Sequence, residues 1–350
     1  MKKNIFFGIM TIGILSLSGF RPSDNKHFAL IENKADNRID IQIDGEPFTS
    51  YYYPTSLMKP VLYPLRTAKG TLVTRGWPLI PRPGERVDHP HHVGLWFNYG
   101  DVNGLDFWNN SHAIPAEKKN HYGTIRHAHV NKMEATDDHA LLDVTKYWQK
   151  PDGSKLLEEN TKYIFRGDKN TRVIELTTTL TALKEDVSFK DNKEGLIGMR
   201  VARALELPTN ESVKFTDASG NITKVAQSNN KEVTGNYLSS EGITGDAVWG
   251  TRAKWVSLAG KIDDEPISII ILDHPSNIGY PTYWHARGYG LFAANPLGQH
   301  AMSGGKETLN FSLAAGKSVT FHYQILIHSG QQLSATEINS YAKTFARSFK

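Results

Sequence analysis

Apolar residues recur at every second position through most of the chain, which is the period of half-buried strands. Ile39, Ile41 and Ile43 alternate with Asp40, Gln42 and Asp44, and Asp44-Gly45 reads as a hairpin turn. Ile174, Leu176, Thr178, Leu180 and Ala182 face one way, while Thr177, Thr179 and Thr181 face the other. Val319, Phe321, Tyr323, Ile325 and Ile327 repeat the pattern. Residues 267–272 are almost continuously apolar, which predicts a strand covered on both faces. Turn-forming clusters such as Pro151-Asp152-Gly153 punctuate the strands. A clear helix closes the chain: Ser334 and Glu337 form a capping box, and Ile338, Tyr341, Ala342, Phe345 and Phe349 follow at helical spacing. No βαβ alternation and no fixed-period repeat is visible. The expected fold class is all-β, a large antiparallel β-sandwich with few helices, one of them C-terminal.

The N-terminus departs from this pattern. Lys2 and Lys3 precede an uncharged, mostly apolar run over residues 5–20, followed by Arg21-Pro22. Those 16 residues fall short of the roughly 20 that span a bilayer, so residues 1–21 read as a secretory signal peptide. Phe20 stands where a lipobox would require Cys, so no stable membrane anchor is expected after signal cleavage. Residues 22–350 are expected to form a single β-sandwich domain, exported to the periplasm or beyond. The absence of cysteine excludes disulfides, thiolate metal sites and a Cys nucleophile. A net charge of +4 over 350 residues is too small for a dedicated nucleic-acid binder. No glycine-rich phosphate loop is present, so no nucleotide cofactor is expected, and no Gly-x-Ser-x-Gly elbow marks an α/β-hydrolase. A two-carboxylate glycosidase stays open, because its acids lie far apart in sequence.

Seven of the 14 histidines fall between His89 and His129. The densest point is Asp88-His89-Pro90-His91-His92, leading into a strand over 93–99 with His92, Gly94, Trp96 and Asn98 on one face. Asp101 and Trp108 follow directly. An imidazole, an indole and an amide on one face suit a sugar, which needs flat aromatic surfaces for its C–H groups and polar groups for its hydroxyls. The alternative is a structural turn beside a core tryptophan. His-x-His also admits a divalent metal ion held by His89 and His91 with His274, with a carboxylate such as Glu194 supplied from elsewhere. A second segment places Glu194, Leu196, Gly198 and Arg200 on one strand face, where glycine lets a ligand approach closely; an ion pair at a strand end is the plainer reading. A third places Tyr283, His285, Arg287 and Tyr289 on one side, followed by Asn295-Pro296. An imidazole beside an arginine tends to stay neutral and to serve as a base, whereas an aromatic-rich packing loop would need no such role. Arg82, between Pro81 and Pro83, sits in a rigid basic loop with Arg86, suited to clamping a carboxylate or simply solvated.

The segment from Asp88-His89-Pro90-His91-His92 to Trp96, and then Gly100-Asp101-Val102-Asn103-Gly104-Leu105-Asp106-Phe107-Trp108, resembles a secreted bacterial family of unknown function labelled PmoA-like. Lys193-Glu194-Gly195, Arg200-Val201-Ala202, Tyr283-Trp284-His285-Ala286-Arg287 and Arg82-Pro83-Gly84 resemble the same family, over roughly residues 30–330. The methane-oxygenase function in that label requires several spanning helices, and none follows the signal. The resemblance instead implies association with glycoside- and polysaccharide-degrading systems. The tail from Leu309 through Ala314-Ala315-Gly316-Lys317-Ser318 to Ile327 is also similar to the end of galactose-mutarotase-like supersandwich domains, which implies a sheet that holds a sugar while His and Glu transfer protons.

The expectation is therefore a secreted carbohydrate-active enzyme acting on a glycoside or keto-sugar by acid–base chemistry: epimerisation, elimination or cleavage. His92, Glu194 and His285 would move protons. Arg82, Trp96, Asn98, Asp101, Trp108, Arg200, Tyr283, Arg287 and Asn295 would bind a small-molecule or oligosaccharide substrate. A non-catalytic sugar-binding module and a metal-dependent sugar lyase or hydratase are the alternatives.

Overall fold

The computed structural model describes residues 27–349, so the signal expected at 1–21 lies outside it. Among the described residues no helix is long and apolar enough to cross a membrane. Two eight-stranded antiparallel sheets dominate. The first runs Phe28–Asn33, Arg38–Ile43, Glu46–Tyr52, Val61–Leu62, Leu95–Tyr99, Gly195–Arg200, Leu291–Asn295, Tyr283–Arg287. The second runs Asn236–Ser239, Trp255–Ile262, Glu265–Asp273, Ser318–Ser329, Thr171–Ala182, Lys155–Gly167, Ala140–Gln149, Thr124–Ala135.

The alternating segments bury the faces their pattern predicts. Ile39, Ile41 and Ile43 enter the central core with Ile174, Leu176, Leu180, Phe321, Tyr323, Ile325 and Ile327. Asp44 and Gly45 take φ of 57° and 78°, the left-handed values that a two-residue hairpin of this type requires. In Glu265–Asp273, Ile267, Ile269 and Ile271 face the central core, and Ile270 and Leu272 face the C-terminal helix. This two-sided cover explains the unbroken apolar run.

That helix spans Ala335–Phe345 and carries the expected capping box. It packs Ile338 and Phe345 on Trp255, Ile270, Leu272 and Leu326, while Tyr341 and Phe349 are only partly covered. A second, five-residue helix, Gln299–Ser303, carries no sequence signal.

His274 ends a strand of the second sheet and lies beneath the C-terminal helix, with the Phe345, Phe349 and His322 rings 5.0, 5.3 and 5.3 Å away. His89 and His91 pack on the outer face of the first sheet. The metal set expected to join these three is therefore not formed, because both sheets stand between them. The neighbouring Asp273 fastens the crossover that leads into the Tyr283–Arg287 strand. Its carboxylate accepts from the His274 and Thr282 amides and from Asn277 Nδ2, and burial pushes its pKa up to about 7.

Ser334→Ala removes the cap, and it should lower unfolding stability by about 1 kcal/mol in urea titrations while leaving the sheets intact.

Candidate active site

Four strands of the first sheet, remote in sequence, meet side by side. Antiparallel registers place Trp96 opposite Gly198, Gly198 opposite Ala293, and Ala293 opposite His285. These residues form one row on the face turned away from the second sheet. The row needs glycine at its centre: a Cβ on Gly198 would lie 2.7 Å from the Trp96 ring and 2.9 Å from the Trp108 ring.

Above the row, four rings stack nearly parallel. Trp96 lies 5.2 Å from His92, His92 lies 4.9 Å from His89, and His89 lies 5.1 Å from Tyr289. The column is held at its base by a buried charge cluster. Asp88 Oδ1 sits 2.6 Å from Arg75 Nη1 and 2.7 Å from Arg200 Nη2. Arg75 also donates to the carbonyls of Arg86, Asp88, His89 and His92, so one guanidinium fixes the whole turn that carries the histidines. Burial pushes the Asp88 carboxyl up, but its hydrogen bond to His89 and the charges of Arg200 and Arg75 outweigh that and hold it well below the usual carboxylate range. The Arg200 guanidinium reaches His92 Nδ1 at 3.3 Å and lies 4.9 Å from the Tyr289 ring centre.

Glu194 immediately precedes the Gly195–Arg200 strand. Its amide donates to Asn192 Oδ1, and Asn295 Nδ2 donates to the Asn192 and Lys193 carbonyls, so the loop is tied from both sides. Its Oε2 lies 3.6 Å from His285 Nδ1. Burial raises the Glu194 carboxyl above its ordinary value against the pull of Lys193, and nearby Asp106 adds to the rise. Burial also lowers His285 to about 3, and the charges of Arg287 and Lys193 add to that. The result is a neutral imidazole beside a carboxyl that binds its proton more tightly than usual. Two residues along the His285 strand, at Arg287, begins a cleft of about 300 Å³ lined by Tyr289, Arg287, Trp249, Asp246, Glu211 and Arg86; Glu194 and His285 are not among its lining residues. Trp249 is 37% exposed there.

Of the expected proton-transfer residues, Glu194 and His285 meet. His92 does not join them. Its ring is buried between His89 and Trp96, its Nδ1 faces Arg200, and burial holds it well below the ordinary histidine value. The binding set divides in the same way. Arg287 lines the cleft. Trp96 and Trp108 are buried against each other and against His92, so neither offers a free face to a sugar. Arg200 is buried in the charge cluster, and Arg82 is tied to Glu85 and to the Thr74 carbonyl. Asn98 donates to the Phe107 carbonyl, Asp101 accepts from the Gly104 amide in a turn, and Tyr283 packs under Arg252. Asn295 holds the Glu194 loop rather than facing a ligand. His91 is lowered by burial to about 2, and the His89 and His91 rings meet edge to face at 5.7 Å. Among the described residues no group of three or more His, Cys, Asp or Glu side chains is arranged to hold a metal ion. Sequence reasoning missed Arg75, Trp249 and Asp246. None lies in a dense motif, and each acquires its place through long-range packing.

Asp88→Asn strands two buried guanidiniums and should lower unfolding stability by about 3 kcal/mol or more in denaturant titrations. Gly198→Ala should cost about 1–3 kcal/mol through the clash with both indoles, read as a fall in melting temperature.

Comparison with known proteins places this geometry in context. Residues 38–343 match the model of DUF6807, a family of unknown function. A family of unknown function is thus shown, as the motifs implied, and the PmoA-like label is not. Among curated proteins none matches the sequence. Several solved structures match the chain at low similarity. The α-galactosidase AgaB of Geobacillus stearothermophilus is 13% identical with a TM-score of 0.38, covering 87% of this chain and 41% of that one. The α-galactosidase AgaA of the same organism, in complex with stachyose, is 12% identical with a TM-score of 0.38, covering 81% of this chain and 40% of that one. A protein of Escherichia coli K12 assigned as an aldose 1-epimerase is 10% identical with a TM-score of 0.35, covering 87% of this chain and 98% of that one. The chain spans about two fifths of the length of the α-galactosidases. At these TM-scores the reading of the site rests on the chain's own residues.

Proposed function

We propose a function from the site itself, since the chain belongs to the DUF6807 family, a family of unknown function. The protein is a carbohydrate-active acid–base enzyme, exported, that isomerises a sugar or eliminates from it. The observation that carries this reading is the pairing of Glu194 with His285 at 3.6 Å, on the strand whose Arg287 lines the cleft.

The chemistry follows from the two protonation states. A carboxyl with a raised pKa is a stronger base when ionised and a ready donor when protonated. The neutral imidazole beside it donates from one nitrogen and accepts at the other. Together they take a proton from one position of a bound ring and return one at another. Glycoside cleavage by two carboxylates needs a second acid at the bond being broken. Glu194 pairs instead with His285 and Lys193, each at 3.6 Å, rather than with a second carboxyl, which favours isomerisation or elimination. A sugar suits the cleft because Trp249 offers an indole face and Asp246, Thr209 and Arg287 offer hydrogen-bonding groups. Arg200, His92 and Trp96 act one layer back, as the packed base that keeps Tyr289 and His89 in place.

The test is proton exchange into a panel of pyranoses and methyl glycosides in D2O, followed by NMR. Glu194→Gln should slow exchange at least a hundredfold, and His285→Ala should slow it comparably. With Glu194 as base, the rate should rise with pH through a midpoint above the ordinary carboxylate value of about 4.3. His285 remains neutral throughout that range and should add no limb near pH 6.5. Unchanged exchange in Glu194→Gln, or a limb near 6.5 that vanishes in His285→Ala, would overturn the assignment.

A further inference from the structure

The arginines on this face differ in one respect. Arg86 pairs with Glu206 at 2.6 Å, Arg82 with Glu85 at 2.5 Å, and Arg75 and Arg200 share Asp88. Arg252 pairs with Glu307. Arg287 makes no ion pair and no side-chain hydrogen bond among the described residues. It is held only by ring faces, 5.5 Å from the Trp249 centre and 5.8 Å from the Tyr289 centre. Flat rings on the guanidinium fix its plane and leave its fork of N–H donors free, the arrangement suited to bidentate recognition of a carboxylate.

The surroundings add to this. Arg75 and Arg200 have one carboxylate between them, so the cluster under Tyr289 keeps a positive charge. Lys193, mostly exposed, stands 3.6 Å from Glu194, whose raised pKa weakens it as a counter-charge. The cleft itself is lined by two guanidiniums, Arg86 and Arg287, and two carboxylates, Asp246 and Glu211; Arg86 is already neutralised by Glu206, so Arg287 is the guanidinium left to take an anion there. Asp246 Oδ1 accepts from the Gly288 amide at 3.0 Å, which fixes the carboxylate at the cleft wall and leaves its other oxygen to receive a hydroxyl. Arg287 and His285 lie two residues apart on one strand, about 6.6 Å along it, which is close to the span of a pyranose ring with an exocyclic carboxylate.

We infer that the substrate is a sugar acid, a hexuronic acid or uronide whose carboxylate is taken by Arg287. This rests on the acid–base reading above and gives its substrate class. Arg287 is then the residue that sets specificity: it holds the carboxylate while the ring carbons face Glu194 and His285.

The experiment measures binding of D-glucuronate, D-galacturonate and D-mannuronate against glucose, galactose and mannose by titration calorimetry on the mature chain. At least one uronate should bind ten-fold or more tightly than its neutral parent, and added salt should erode that preference. Arg287→Gln should abolish the preference, so that uronate and parent bind this variant with equal affinity. Arg287→Lys should recover part of the preference, as a charge without the fork. Melting temperatures of both variants check that the fold is retained. Equal affinity for acid and parent, no binding of any uronate, or a preference that survives Arg287→Gln would each overturn the inference. A uronate preference without proton exchange would retain Arg287 as an anion site and refute the catalytic reading instead, so the two failures are distinguishable.

Discussion

The candidate site depends on a single buried guanidinium. Arg75 has no role in the proposed chemistry, yet it donates to four carbonyls of the turn over residues 86–92 and shares Asp88 with Arg200. A turn that carries three histidines and a proline has little regular hydrogen bonding of its own. Without an internal donor its carbonyls would be buried unpaired, a penalty of about 1–3 kcal/mol each. Arg75 supplies that donor, and its charge adds to the His89 hydrogen bond and the Arg200 charge that hold Asp88 ionised. From that base the ring column rises through Trp96, His92 and His89 to Tyr289, the first member that borders the cleft.

The same burial that builds the column sets the electrostatics of the pair beside it. Glu194 and His285 both lose solvation, and each responds by favouring its neutral form. For the histidine, the neighbouring cations push in the same direction as burial. For the glutamate, Lys193 opposes burial without cancelling it. The opposed shifts leave a carboxyl that holds its proton more tightly than usual beside an imidazole that holds its proton less tightly, with Arg287 two residues along the His285 strand.

Much of the fold could be read along the chain. The alternation at Ile39–Ile43 and at Phe321–Ile327, the hairpin at Asp44-Gly45 and the Ser334 cap are local properties, and local physics decided them. The three segments singled out in the chain lie on neighbouring strands of the first sheet, but several of their side chains are buried rather than open to a ligand. Trp96 and Trp108 looked like sugar platforms, because an aromatic on a strand face is equally compatible with solvent and with a packed layer. They turned inward because Gly198 leaves space above the sheet that two indoles fill. Asn295 and Asp101 looked like ligand contacts, yet both are used up holding backbone amides and carbonyls.

By itself the sequence determined the class of the fold, the strand faces, the helix cap and the residue types available for chemistry, because these depend on neighbours a few positions apart. It could not determine that Glu194 would meet His285, that His274 would lie on the far side of the molecule, or that Arg287 would have no carboxylate partner among the described residues. Those outcomes depend on strand order and register between segments about 100 or more residues apart in several cases, such as Trp96 opposite Gly198. Register is set by the packing of the whole sandwich, since a slip of one residue turns every side chain to the opposite face.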